Sequence, residues 1–173
     1  MDPDTVATFF AVLLLGGIVG LVAAWFVPAV RRELEPAAPT LAATIAVAAT
    51  AGSLWFSESA GFVPCELCWY QRIAMYPLAV VLTMATIRRD AAIRPYAIVL
   101  AAIGAAISAY HVAIQQFPDQ SSFCEASNPC SAAWVDALGW MTIPQMAGVS
   151  FLLIIALLTL SPPTPTPPRS ESS

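Results

Sequence analysis

Apolar residues fall into five long runs near 5–30, 40–57, 69–87, 96–114 and 141–160, divided by short polar segments. A helix crosses a hydrocarbon layer of about 30 Å with about 20 apolar residues, so each run predicts a transmembrane helix. The second and third runs are short, which leaves their ends free to shift by a turn. The polar segments are not equivalent. Arg31 and Arg32 separate the first two runs, and Arg88, Arg89 and Arg94 separate the third and fourth, so alternation puts all five on one side. The positive-inside rule makes that side the cytoplasm. Asp2, Asp4, Glu58, Glu66, Asp119, Glu125 and Asp136 then gather on the outer side, where Arg72 at the edge of the third run is the accompanying cation. The pattern predicts an all-α integral membrane protein with its N-terminus outside and its C-terminus in the cytoplasm.

Composition reinforces this. The chain has 173 residues, 58% hydrophobic and 10% charged, with a mean hydropathy of +0.74, too apolar for a domain with a water-facing surface. Its net charge of −4 supplies no basic patch to neutralise phosphates, which sets nucleic acid aside as a partner. The first run follows an acidic leader, Met1-Asp2-Pro3-Asp4, and is longer than the apolar core of a secretory signal, so it reads as a retained span. Gly16 and Gly20 within it form a Gly-x-x-x-Gly pair suited to close helix approach. The second and fourth runs are rich in Ala and Gly, the residues that let helix backbones pack in lipid. The predicted organisation is an extra helix and cytoplasmic loop over 1–39, a four-helix membrane bundle over 40–160, and a disordered proline-rich cytoplasmic tail over 161–173, which also has the composition of a ligand for a proline-binding module.

The chemistry centres on Pro64-Cys65-Glu66-Leu67-Cys68-Trp69-Tyr70-Gln71-Arg72. A helix beginning at or just after Cys68 lends the dithiol a partial positive charge, and Arg72, one turn on, adds a full one; both favour thiolate. Cys-x-x-Cys alone is ambiguous among a redox pair, half of a four-cysteine zinc site and a structural staple. Cys124 and Cys130 lie in the second outer loop, about 115–140, around a turn-rich insert that lets one loop hold one disulfide. Two cysteine pairs in two outward loops point to thiol–disulfide exchange between them. Outside the cell, a permanent zinc site competes with thiol oxidation, so no metal is expected. Net oxidation requires an acceptor. In a lipid-embedded bundle without a haem-type His pair or a dinucleotide glycine fingerprint, the acceptor is a membrane quinone, ubiquinone or menaquinone. Cys68 and Arg72 are placed to meet it. His111, the single histidine, and Gln115 lie near the outward end of the fourth run at the same level.

These residues carry a family resemblance. Cys65-Glu66-Leu67-Cys68-Trp69-Tyr70-Gln71-Arg72, Tyr110-His111-Val112-Ala113-Ile114-Gln115, Cys130-Ser131-Ala132-Ala133-Trp134, Leu138-Gly139 and Ile143-Pro144-Gln145 occur in the order found in the DsbB family, over roughly residues 40–160. The resemblance implies a quinone-dependent thiol oxidase of the cell (inner) membrane that supports protein disulfide formation. It implies that Cys124 forms the mixed disulfide with a soluble thioredoxin-fold partner similar to DsbA, and that Cys130 passes electrons to Cys65. Cys68 resembles the thiolate that forms a charge-transfer adduct with the quinone, Arg72 matches the arginine beside it, and His111 and Gln115 resemble ring-side residues.

Two features depart from the family pattern. Familiar four-span members lack the run at 5–30, and only five residues separate Cys124 from Cys130, which shortens the loop available to carry Cys130 to Cys65. Two competing functions stay open: a membrane reductase similar to vitamin K epoxide reductase, whose Cys-x-x-Cys lies near the end of the bundle, and a non-catalytic scaffold stapled by disulfides.

Overall fold

The computed structural model describes residues 2–117, 124 and 128–160. The predicted tail and most of the segment between Phe117 and Asn128 lie outside these residues. Five helices follow in order: α1 Pro3–Phe26, α2 Pro28–Glu58, α3 Glu66–Arg88, α4 Arg94–Gln116 and α5 Ile143–Leu160. Among the described residues the β-pairing is confined to one isolated bridge, between Ala137 and Met141.

Local chemistry sets the helix ends. The Asp2 carboxylate accepts a hydrogen bond from the Thr5 backbone N–H at 3.2 Å, and Pro3 occupies the first turn, where no N–H is needed. Val27 is the single residue between α1 and α2, and Pro28 opens α2. The loop expected at 31–39 is therefore helical. Arg31 donates to Glu35 at 2.8 Å one turn along, and Pro36 and Pro39 both sit inside α2. Hydropathy reports where a helix contacts lipid, not where the helix begins. At 1.5 Å per residue the 31 residues of α2 span about 46 Å, so its charged first turns extend past the apolar layer.

α1, α2, α4 and α5 are long and apolar enough to cross a membrane. α3 has the length, at 23 residues, but Glu66, Gln71 and Arg72 at one end and Arg88 at the other lower its apolar character. The chain is a multi-pass membrane protein. α2, α3, α4 and α5 pack in sequence, and α5 returns to α2, closing a four-helix ring; α1 packs on α2 and α5 from outside it.

Small residues set these contacts. Ala42 and Ala46 of α2 and Ala101 of α4 are fully buried, and Gly104 of α4 leaves no room for a Cβ beside the ring of Phe151, itself fully buried on α5. Gly148 faces Ser108 in the same seam. Gly16 and Gly20, by contrast, face open space; Gly17 between them packs against Leu153.

Candidate active site

The first cysteine loop is short because α2 ends at Glu58 and α3 begins at Glu66. Gly61, at φ 73°, provides the turn that brings the Phe62 N–H back to the Phe56 carbonyl at 3.0 Å. Cys65 is the N-terminal cap of α3, and its carbonyl accepts the first helical hydrogen bond, from the Trp69 N–H at 3.1 Å. A spacing of three along a helix puts two side chains on one face. The Cys65 and Cys68 sulfurs accordingly lie 3.0 Å apart, both as free cysteines.

α4 brings His111 to this pair. The imidazole is 2% exposed, and its three polar neighbours come from different elements. Nδ1 is 3.2 Å from Gln71 Nε2 on α3, and Nε2 is 3.0 Å from the Cys130 carbonyl oxygen and 3.7 Å from Cys65 Sγ. An amide N–H of Gln71 donating to Nδ1 places the neutral ring's proton on Nε2, where it donates to the Cys130 carbonyl and faces the Cys65 sulfur. Cys65 is held well below its ordinary thiol value, at about 4, first by the hydrogen bond with Cys68 and then by His111, against the opposing effect of burial. In the reduced pair the negative charge is accordingly favoured on Cys65.

Cys124 and Cys130 form a disulfide with a Cα–Cα separation of 5.9 Å. The Cys65 sulfur, a His111 ring nitrogen and the Cys130 sulfur all lie within 4.8 Å of one another. Cys130 thus already sits beside Cys65, although few residues separate it from Cys124. While bonded to Cys124, Cys130 has no thiolate to offer a metal ion. Further contacts tie the second cysteine loop down: Asn128 Nδ2 donates to the Val63 carbonyl at 3.4 Å, and Trp134 stacks on Phe62 at 5.4 Å. Gln115 donates to the Ala132 carbonyl at 3.4 Å and accepts from the Thr142 hydroxyl at 2.8 Å.

On the other side of Cys68 an apolar chamber of about 380 Å³ runs down between α1, α2, α3 and α5. Cys68, Arg72 and Trp134 stand at its outer end. Arg72 donates to the Ser53 carbonyl on α2 at 2.8 Å and lies 5.3 Å from the centre of the Trp69 ring. His111 and Gln115 do not line this chamber; they border a much smaller space of about 20 Å³ next to Cys65 and Cys68. The structure thus groups Cys65, Cys68, Cys130 and His111 in one cluster, with Cys68 and Arg72 facing the chamber and Gln115 bracing the loop behind.

Gln71 and Ser53 belong to the site without having stood out in the sequence. Gln71 had a legible signal: it is the polar member of the inward stripe Leu67, Gln71, Ala74, Leu78, one turn after Cys68. Ser53 contributes a backbone carbonyl, which no sequence pattern marks.

Comparison with known proteins places this arrangement. The family model for disulfide bond formation protein DsbB matches residues 35–161. Disulfide bond formation protein C of Bacillus subtilis (strain 168) is 44% identical over 118 residues, which is 67% of this chain and 86% of that protein. A probable disulfide formation protein of Oceanobacillus iheyensis is 43% identical over 112 residues, 63% of this chain and 77% of its own length. Probable disulfide formation protein C 2 of Bacillus anthracis is 41% identical over 122 residues, or 70% and 87% respectively. No solved structure matches the chain. The matched region runs from the first turns of α2 through α5, takes in all four cysteines and leaves out α1, and by it the chain belongs to the DsbB family.

Proposed function

We propose that the protein is a membrane thiol:quinone oxidoreductase that reoxidises a soluble DsbA-like thioredoxin-fold protein and so supports protein disulfide formation. The observation that carries this reading is the continuous path of sulfur: half-buried Cys124, buried Cys130, Cys65 within 4.8 Å of it, then Cys68 at the mouth of an apolar chamber. A staple or scaffold has no use for a free dithiol between a disulfide and a greasy cavity. A reductase reading lacks such support, because here the dithiol opens α3 early in the bundle.

The steps balance as exchange reactions. A partner thiolate attacks Cys124, the accessible sulfur; the Cys124–Cys130 bond breaks and Cys130 leaves as thiolate. Cys130 then attacks Cys65 of an oxidised Cys65–Cys68 pair, and Cys68 leaves with the electron pair. The partner's second thiol resolves the mixed disulfide and departs oxidised, freeing Cys124. Attack by Cys124 on Cys130 restores the outer disulfide and leaves Cys65 and Cys68 reduced, the arrangement seen in the structure. Throughout, the Nε2–H of His111 faces Cys65 and stabilises the charge that forms there.

The chamber suits a quinone. Its volume falls within the roughly 300–1,000 Å³ typical of ligand pockets, its walls are apolar, and its one cationic side chain, Arg72, has donors beyond the one directed at Ser53. A bound quinone supplies the two-electron, two-proton sink that makes the cycle a net oxidation. Arg72 is the donor placed to orient a quinone oxygen, and Cys68 is the sulfur that faces the chamber. The cysteine loops and N-terminus lie on the extracytoplasmic side in this reading, with Arg31, Arg32, Arg88, Arg89 and Arg94 at the cytoplasmic ends.

The test is a trap. With Cys130→Ser, Cys124 is a free thiol: its thiolate attacks the disulfide of an oxidised thioredoxin-fold protein, and one partner sulfur leaves as thiolate. No Cys130 is present to expel the partner from Cys124, so the mixed disulfide persists on a non-reducing gel of the acid-quenched reaction and the wild type shows far less. Equal absence of adduct in both, with the partner's disulfide left equally intact, contradicts the exchange route.

A further inference from the structure

α1 lies outside the family's matched region, yet it forms a wall of the chamber. Phe10, Leu13, Leu14 and Gly17 line it from α1, opposite residues of α2, α3 and α5. Two close contacts fix the helix there. A Cβ on Gly52 of α2 would lie 3.0 Å from Phe10 Cζ, so the missing side chain is what lets the Phe10 ring settle against α2. Deeper down, a Cβ on Gly17 would come within 3.1 Å of Leu153 on α5. Phe10 bridges to α2 and Gly17 to α5, and Leu13 and Leu14 lie between them.

The chamber is elongated along the bundle. On α2 its lining runs from Ser57, near the dithiol end, down to Leu41; sixteen residues at 1.5 Å each make about 24 Å. The outer end carries Cys68 and Arg72, and the lower part toward Gly17, Ile45 and Leu153 is apolar apart from Thr44, whose hydroxyl donates to the Thr40 carbonyl. That division matches a molecule with a polar redox ring and a long aliphatic tail. Without α1, the face between α2 and α5 opens directly to lipid, and a tail entering there is solvated equally well outside the protein.

Resting on the quinone reading above, we infer that α1 is a tail-binding wall: it encloses the first part of the quinone's polyprenyl chain between α1, α2 and α5, so that Phe10, Leu14 and Gly17 set how strongly a tailed quinone is preferred over its bare ring. The ring end depends on Arg72 and Cys68, the tail end on α1. The two contributions are separable.

The experiment uses the full chain in phospholipid nanodiscs and reads binding from quenching of tryptophan fluorescence, Trp134 being at the chamber's outer end. The probes are a benzoquinone with a decyl tail and the same ring with a methyl group in its place. Comparing each variant with the wild type cancels partitioning of the probes into lipid. Leu14→Phe narrows the tail region without adding a tryptophan to the readout and is expected to weaken binding of the tailed probe by about tenfold, the equivalent of excluding about two methylene groups from burial, while binding of the bare ring and the rate of thiol exchange at Cys124 stay at wild-type values. Phe10→Ala opens the wall instead of filling the space, and is expected to lower the same preference in the same direction. An unchanged tailed-to-bare ratio in both variants, with wild type binding both probes, overturns the role of α1. Should one variant fail to fold, the ratio in the other decides alone. If the wild type binds neither probe, the quinone reading itself falls and takes this inference with it.

Discussion

Replacing His111 by Phe keeps a ring of similar shape and removes both nitrogens. The loss is felt at two atoms, because Nε2 lies 3.7 Å from Cys65 Sγ and 3.0 Å from the Cys130 carbonyl. In the wild type the Cys65 thiol sits at about 4, held down first by Cys68 and second by His111. A hydrogen bond to a charged group contributes about 1.5–3 kcal/mol, and 1.36 kcal/mol corresponds to a tenfold change in the proton equilibrium. The variant's midpoint is therefore expected to rise by about one to two pH units. Cys68 remains to hold it below the ordinary thiol range. At pH 5 the thiolate fraction falls from about nine-tenths to between about one half and one tenth. The direction follows from linkage: a depressed acid favours the folded, ionised state above its unfolded value, and that contribution is lost as pH falls through the folded one. The loss starts at the same unfolded value in both forms but is complete at higher pH in the variant, and its total is smaller. Ultraviolet thiolate absorbance of the reduced protein, titrated from neutral to acid in both forms, measures the midpoint. An identical midpoint refutes the assignment of His111 as a donor to Cys65, and a lower one reverses its sign.

Three further outcomes follow from the same geometry. Arg72→Leu removes the cation at the chamber mouth and is expected to raise the KM for quinone by about tenfold to a hundredfold, from the 1.5–3 kcal/mol typical of a charged hydrogen bond, with partner thiol exchange at Cys124 unaltered; steady-state kinetics with each substrate varied in turn separates the two. Gln71→Leu strands His111 Nδ1 in a buried setting and is expected to cost about 1–3 kcal/mol of stability, seen as a lower thermal unfolding midpoint in detergent. Gly104→Ala forces a methyl group onto the buried Phe151 ring and is expected to destabilise by about 1–3 kcal/mol; an unchanged unfolding midpoint would show that the α4–α5 seam has slack.

Much of this was legible in the chain, for identifiable reasons. Runs of apolar residues place the helices because lipid imposes length and composition together, and α4 and α5 fall within two residues of the expected ends. The segment from Arg31 to Pro39 was misread as a loop because charged residues and proline argue against a span, although an Arg31–Glu35 pair and a preceding helical turn keep it helical. The Gly16/Gly20 motif does not mark the face of α1 that packs on the rest of this chain, since glycine spacing alone does not say which side meets which neighbour; Gly17 does. At the site, Cys65, Cys68 and Arg72 were fixed by helical spacing. The nearness of Cys130 to Cys65 was not, because it depends on long-range ties from Asn128 to Val63 and from His111 to Cys130. Likewise, His111 and Gln115 share a level with Arg72 but turn toward the loops, a rotation about α4 that level alone does not reveal.

The central claim is that electrons cross between the two loops at Cys65 and Cys130. The double variant Cys68→Ser with Cys124→Ser leaves Cys65 and Cys130 as the remaining cysteines, and the fold holds their sulfurs within 4.8 Å. Treated with a mild thiol oxidant in the native membrane state and mapped as non-reduced peptides, it is predicted to yield the Cys65–Cys130 linked pair as its main product. Recovery of both cysteines as free thiols, with linkage appearing only after denaturation, would contradict the account.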